Sequence, residues 1–420
     1  MRTALPLFSL VALLAACAGD ERAPIEPRQG AWLMQLDIGD GNILPFGFDL
    51  DHDPTGWLMT VHNGTEHIAV DDVHFANDTM RVRMPLFDSE FLGAFTSDSV
   101  FVGQWSNHLK GPDYRIPFVA TAGTGARFAL HSKSDTRDLS GAWETHYSQG
   151  TADAYDAIGL FSQVGSHASG TFVTETGDYR YLEGVVDGDS LKLSCFDGTH
   201  AFLFKAGWRN DSLFGRFWSG THWQEPWVAV RNASYKLRDP DSLTALREGY
   251  DMADFSFPGI DGGTISPKDE AHAGRVLMVQ VMGSWCPNCV DETLLLDEMY
   301  AKYHDDGLSV IAIAFEQYPD SARAIAGLRR FRDRLNVKYD IAYAGPANKD
   351  AAAERLPFLD HVMSYPTCIF IDRAGTVRRI RTGFYGPGTG EHYLNYRRNL
   401  ELFLERMLAE PVPAAVHKAA

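Results

Sequence analysis

Two cysteines one helical turn apart are the residues of this chain with the clearest chemistry. They lie in Gly283-Ser284-Trp285-Cys286-Pro287-Asn288-Cys289, after the apolar run 276–282 and before a stretch in which Leu294, Leu295 and Met299 recur at helical spacing towards His304. A strand that ends in Cys-x-x-Cys and opens a helix is the setting of a redox-active dithiol. Cys286 then stands at the helix N-cap, where unpaired backbone N–H groups and the positive dipole end favour an anion, which makes it the nucleophile. Cys289 can attack a mixed disulfide formed on Cys286 and is the resolving thiol. Pro287 suits the first helical position because an N–H there would have no partner. The expected redox group is the disulfide Cys286–Cys289 itself, with no other cofactor. A structural zinc site needs a second half. Cys17, Cys195 and Cys368 form no second pair, and His200, His222 and His361 show no ligand spacing, so no metal is expected.

The elements that must position this pair alternate. Residues 309–315 read as a buried strand, 321–335 as an Arg-rich amphipathic helix with a solvated face, and 339–344 as a short strand. Residues 351–358 are helical again, and 395–408 close the region. Such alternation predicts an α/β domain, a mixed sheet with helices on both faces. Glu292 follows Cys289 by three positions and Cys286 by six, so the three project from neighbouring faces of one helix. A semi-buried carboxylate there suits the proton that Cys289 must lose.

Together with the Trp-Cys-x-x-Cys, the segments Asp254-Phe255-Ser256-Phe257-Pro258-Gly259-Ile260-Asp261-Gly262 and Ser364-Tyr365-Pro366-Thr367-Cys368 through Val377 resemble the thioredoxin superfamily. In particular they resemble the TlpA/ResA-like thiol-disulfide oxidoreductases of the bacterial cell envelope, over about residues 251–410. The resemblance implies a thioredoxin-like fold and a cis bond between Tyr365 and Pro366 facing the cysteines. Tyr365, Pro366 and Thr367 then form the substrate-binding edge, where a client chain pairs in strand fashion. It also implies that Trp285, Pro287 and Asn288 complete the catalytic motif and that Glu292 is an acid/base helper. Where thioredoxin itself has a buried aspartate, six positions before the nucleophile, this chain has Gln280, which cannot titrate. Asn288 in place of the histidine usual in oxidising members favours a reductant. The rivals are a thiol peroxidase of the peroxiredoxin branch and a β-domain binding protein with a vestigial redox module.

The other end of the chain reads differently. Ala4 to Ala16 is apolar but too short to span a bilayer, and Leu14-Ala15-Ala16-Cys17 resembles the bacterial lipobox. This implies a signal peptide over 1–16, a lipid anchor on Cys17 and a flexible tether over 17–30, and so a membrane-anchored lipoprotein of the cell envelope or periplasm. Short alternating runs separated by Asn-Asp, Asp-Gly and Asn-Gly turns then predict antiparallel all-β structure. Gly30-Ala31-Trp32 returns as Gly141-Ala142-Trp143, and Asp98-Ser99-Val100-Phe101 as Asp211-Ser212-Leu213-Phe214. The echo predicts a duplicated β module, sandwich or barrel, over 31–134 and 135–236. A linker over 237–250, with a helical turn within Leu243–Gly249, leads to the redox domain over 251–410 and a tail over 411–420.

Eight of the nine tryptophans fall in the β region, where core packing accounts for them, and Cys195 reads as a buried hydrophobe. That region is expected to be a spacer, a dimer contact or a client-docking platform. A formal charge of -17 argues against nucleic acid as a partner. The partners expected are exported client proteins with disulfides and an upstream electron donor of the membrane.

Overall fold

The computed structural model describes residues 24–132 and 136–412; the leader, Cys17 and the first half of the tether lie outside the described residues. Alternation of buried and open side chains recurs in many of the strands up to Arg231. The opening strand Gly30–Asp37 buries Trp32, Met34 and Leu36 and turns Gln35 and Asp37 outward, the pattern of a sheet with one wet face. Nine strands from here to Arg115–Ala122 form one antiparallel sheet, in which consecutive strands are neighbours except the fourth and fifth. The ninth returns to the first, with Leu36 opposite Phe118. The result is an up-and-down barrel with one seam, between Glu66–Val70 and Val73–Ala76, where no ladder joins the described residues.

A second barrel runs from Gly141–Tyr147 to Trp223–Arg231 and closes fully. Its eight long strands are sequential antiparallel neighbours, and the last pairs with the first, Tyr147 opposite Trp227. A short ninth strand, Gly177–Asp178, folds back on the end of His167–Thr174. Trp143, Tyr147, Phe172, Phe204 and Trp227 fill the interior, with Cys195 buried among them. Of the two architectures expected for the β region, both units are barrels. They share an interface, where Phe196 of the second stacks on Phe46 of the first at 4.5 Å.

The C-terminal α/β domain holds a five-stranded sheet in the order Asp340–Pro346, Leu308–Glu316, Val276–Met282, Thr367–Ile371, Val377–Thr382. The first three are parallel and the last two antiparallel. Every residue of Val276–Met282 is buried, because a central strand covered on both faces reads as one apolar run. The helices are Pro287–Tyr303, Ser321–Leu335, Lys349–Arg355 and Glu391–Leu408.

Several boundaries differ from the sequence reading. The third helix occupies 349–355 rather than 351–358, because the Asn348 side chain accepts from the N–H groups of Asp350 and Ala351 and caps it early, while Pro357 forbids its continuation. The last begins at Glu391 rather than Asn395. The segment 237–250 has no α-turn over 243–249. A short 3-10 turn at Pro240–Ser242, capped by Asp239, takes its place, and the chain then lies extended on the domain, with Leu243 and Thr244 buried and Arg247 N–H donating to Phe358 C=O at 2.8 Å. Nor is the Arg-rich helix Ser321–Leu335 merely a solvated face. Arg323 reaches Asp88 and Arg334 reaches Asp71, both on the first barrel, at 3.0 and 2.9 Å.

Apolar packing joins the units as well. Phe87 of the first barrel belongs to the core of the α/β domain. The tightest tie is Arg180. It projects from the second barrel, is 8% exposed, and pairs with Glu66 of the first barrel and with Asp291 of the helix that begins at Pro287. Removing one member of a buried ionic cluster strands the others without compensation, which typically costs about 3–5 kcal/mol. Arg180→Met is therefore expected to lose about that much in urea unfolding and to separate the barrel and α/β transitions. A loss under about 1 kcal/mol with one unchanged transition would contradict the clamp.

Candidate active site

The parallel strand Val276–Met282 delivers the chain to the sheet's carboxyl edge, where a tight loop turns into the helix Pro287–Tyr303. Gly283 is required there because a Cβ would strike the Trp285 indole. Cys286 is the N-cap. Its Sγ accepts from the Cys289 N–H at 3.4 Å and lies 3.6 Å from the Tyr365 carbonyl. Both cysteines are free thiols and both are buried, Cys286 at 8% exposure and Cys289 at 0%.

The Tyr365–Pro366 bond is cis, and its carbonyl faces the nucleophile. Trp285 donates from its indole N–H to Phe315 C=O at 2.9 Å and meets Tyr365 edge-on at 5.6 Å. Thr367 is turned inward, its hydroxyl donating to Ser364 C=O at 2.9 Å. Thus Trp285, Cys286, Pro287, Asn288, Cys289 and Tyr365 come together, while Thr367 supports the loop from beneath. Cys17 lies outside the described residues, and Cys195 sits in the second barrel away from the pair. Cys368 stands opposite Gln280 in the sheet, buried.

Glu292 is fully enclosed, at 1% exposure, and neither carboxylate oxygen has a hydrogen-bond partner. Burial pushes its carboxyl up to about 8, opposed only in part by the nearby Gln280 amide and Arg381 charge. The Cys289 thiol is pushed well up, by burial first, then by its contact with Cys286 and by Glu292. A charge on Glu292 therefore disfavours the Cys289 thiolate. Gln280 is spent elsewhere: its amide donates to Cys289 C=O at 3.2 Å and accepts from the Thr293 hydroxyl at 3.0 Å.

Three further residues escaped the sequence reading. Glu316, at the end of the strand Leu308–Glu316, accepts from the Ser284 N–H and hydroxyl, each at 2.8 Å. Burial lifts it to about 7 despite both bonds. A carboxylate closing an otherwise apolar parallel strand was the available signal, since such carboxyl ends face the sites of open α/β sheets. Asp178 and Arg180 carried no such signal, because they come from the second barrel. Asp178 C=O accepts from the Asn288 amide at 3.4 Å, and its carboxylate accepts from the Gly386 N–H at 2.6 Å. Burial, then the charge of Asp291, raises it to about 6. Gly177 has φ of 153° and presses on Asn288 so closely that a Cβ would collide with its amide. Asn288, the second of the two residues between the cysteines, is thus roofed by the second barrel. Beside the roof a cleft of about 670 Å³ opens between Trp285, Asn288 and Tyr365 on one side and Tyr179, Phe202 and Trp223 of the barrel mouth on the other.

Residues 249–380 match the AhpC/TSA family. The chain is 27% identical over 138 residues to the thioredoxin-like protein YneN of Bacillus subtilis, which is 33% of this chain and 73% of that one. It is 24% identical over 136 residues to the thiol-disulfide oxidoreductase ResA of Oceanobacillus iheyensis, which is 32% of this chain and 63% of that one. A solved thiol:disulfide interchange protein of the thioredoxin family from Chlorobium tepidum aligns at 17% identity and a TM-score of 0.30, covering 39% of this chain and 100% of its own.

Glu292 and Glu316 keep their protons in the folded chain at pH values where the unfolded chain, with carboxyls near 4.5, has lost them. The native state then binds more protons at these two sites, so the stability they contribute is fully present below about 4.5 and is lost as pH rises through about 7 and about 8. The melting temperature of the reduced protein should fall between pH 5 and 9. Glu292→Gln should flatten the last part of that fall and shift the pH profile of Cys286 alkylation by iodoacetamide. Superimposable profiles for wild type and variant would deny Glu292 any electrostatic hold on the pair.

Proposed function

We propose, from the premise that this chain is a TlpA/ResA-like protein whose C-terminal part is a thiol-disulfide oxidoreductase domain of the thioredoxin superfamily, that it reduces the disulfides of exported client proteins while held at the cell envelope. The observation that carries the reading is the Cys286 sulfur at a helix N-cap, 3.4 Å from the Cys289 N–H and 3.6 Å from the Tyr365 carbonyl.

In the proposed cycle the Cys286 thiolate attacks one sulfur of a client disulfide. The client S–S bond breaks, a mixed disulfide forms, and the departing client thiolate takes a proton. Glu292, in its carboxylate form, receives the proton of the Cys289 thiol. The Cys289 thiolate then attacks Cys286 Sγ, forming Cys286–Cys289 and releasing the second client thiolate. Two electrons have passed, leaving the client a dithiol and this chain a disulfide. An upstream dithiol donor of the membrane restores the reduced pair. The backbone of Tyr365, beside the cis proline, lends the client a strand-like partner while this happens. Asn288 between the cysteines, rather than a cationic residue, supports the reducing direction.

The lipid on Cys17 is part of this reading, supported by the lipobox-like Leu14-Ala15-Ala16-Cys17. No helix among the described residues is long and apolar enough to cross a membrane. The two barrels we read as copies of one module. Each is an up-and-down meander whose last strand pairs with its first. In each, the opening tryptophan donates to the carbonyl four residues before it, Trp32 to Arg28 at 2.9 Å and Trp143 to Leu139 at 2.8 Å.

Reduced wild type should reduce insulin and consume no hydrogen peroxide, and Cys286→Ser should lose the insulin activity entirely. Cys289→Ala should accumulate its client as a mixed disulfide on Cys286, recovered by non-reducing electrophoresis and identified by mass. Peroxide turnover without insulin reduction would move the chain to the peroxidase reading, and an inert wild type would leave the redox module vestigial.

A further inference from the structure

The nucleophile has almost no open approach. Gly177 of the second barrel presses on Asn288, Tyr365 covers the other flank, and the cleft of about 670 Å³ lies between them. That volume falls in the usual range of small-ligand pockets and is far from the broad face a folded protein needs.

The barrel side of this cleft is built for a ligand. Tyr179, Phe202, Phe217 and Trp223 give an aromatic wall. Four carboxylates also line it, and three are already committed. Asp156 is held by His146 and Tyr235, Glu175 by Arg238, and Asp178 by the backbone N–H groups of Arg180 and Gly386. The fourth, Glu225, is 3% exposed and is held by hydroxyls alone, Tyr155 at 2.8 Å and Ser148 at 2.6 Å. Among the described residues no Lys, Arg or His pairs with it. Lys110 and Lys349 also line the cleft, but both are exposed. Buried carboxylates are paired with a cation as a rule, and this one has only neutral donors.

We propose that the mouth of the second barrel is the other half of the substrate site. It binds an extended, cysteine-bearing peptide segment whose basic side chain reaches Glu225 while its sulfur meets Cys286. The inference rests on the redox reading above and specifies its substrate: an unfolded basic stretch of a client rather than a disulfide on a folded surface. The barrel thus selects, and the α/β domain exchanges.

The test uses the reduced full-length protein and two heptapeptides, each carrying one central cysteine as a mixed disulfide with thionitrobenzoate and differing only in Lys or Glu beside it. Wild type should favour the Lys peptide at least tenfold in kcat/KM, read from thionitrobenzoate release. Glu225→Gln, which keeps the shape and one accepting oxygen while its amide N–H donates to the other hydroxyl, should bring the ratio within about twofold. Trp223→Ala, at the exposed rim, should raise KM for the Lys peptide at least fivefold. The wild-type preference needs no variant, so a misfolded Glu225→Gln leaves the test standing. Equal rates for the two peptides, a preference that survives in folded Glu225→Gln, or faster reduction of a folded disulfide-bonded domain than of the Lys peptide would overturn the proposal. A wild type that fails even with the free aryl disulfide 5,5′-dithiobis(2-nitrobenzoate) would instead remove the redox reading, and this one with it.

Discussion

Exclusion of water from the sulfur pair is the constraint on which the rest of the molecule depends. Cys289 is fully buried and Cys286 nearly so. In that setting a charge is stabilised only by what the fold supplies, and the fold supplies little: one backbone N–H at the helix start, and a carboxylic acid with no hydrogen-bond partner. Desolvation is accordingly the first cause of the raised carboxyls of Glu292 and Glu316 and of the raised Cys289 thiol. Each can exchange a proton near neutral pH or above because burial, not a special partner, has moved it there.

Such burial is not a property of the α/β domain alone. The roof over the motif is Gly177 and Asp178 of the second barrel, and the roof is held in place by ties that run through all three units. Arg180 joins both barrels to the active-site helix, Phe87 inserts from the first barrel into the α/β core, and the arginines of Ser321–Leu335 meet Asp71 and Asp88. The aromatic stack of Phe46 on Phe196 welds one barrel to the other. These contacts make the β region a structural part of the redox centre rather than a spacer.

The similarity to YneN and ResA spans only about a third of this chain, and the AhpC/TSA match lies at 249–380. Exchange chemistry resides in that shared third, and fold alone does not dictate what it acts on. The second barrel contributes carboxylates and aromatic rings to the cleft beside Trp285, Asn288 and Tyr365.

Local pattern was enough to read the redox motif and most of its scaffold. Cys286-Pro287-Asn288-Cys289 announced a helix start because capping and the missing proline N–H act within a few residues. Val276–Met282 announced a central strand by an apolar run interrupted only at Gln280, and Ser321–Leu335 stood out by its helical period. Glu292 was legible by its spacing, though its depth of burial was not. The alternating strands, the tryptophan echo and the turn signals likewise fixed the β character of residues 30–231, without deciding between sandwich and barrel, since closure depends on which distant strands pair. What the tertiary structure alone decided was the meeting of remote segments: Asp178 and Arg180 over the motif, Glu225 in the cleft, Glu316 beneath Ser284, the arginine helix turned to the first barrel. Those contacts join residues far apart in the chain, and no periodicity or spacing records them, because burial and long-range pairing are properties of the folded surface rather than of neighbours along the backbone.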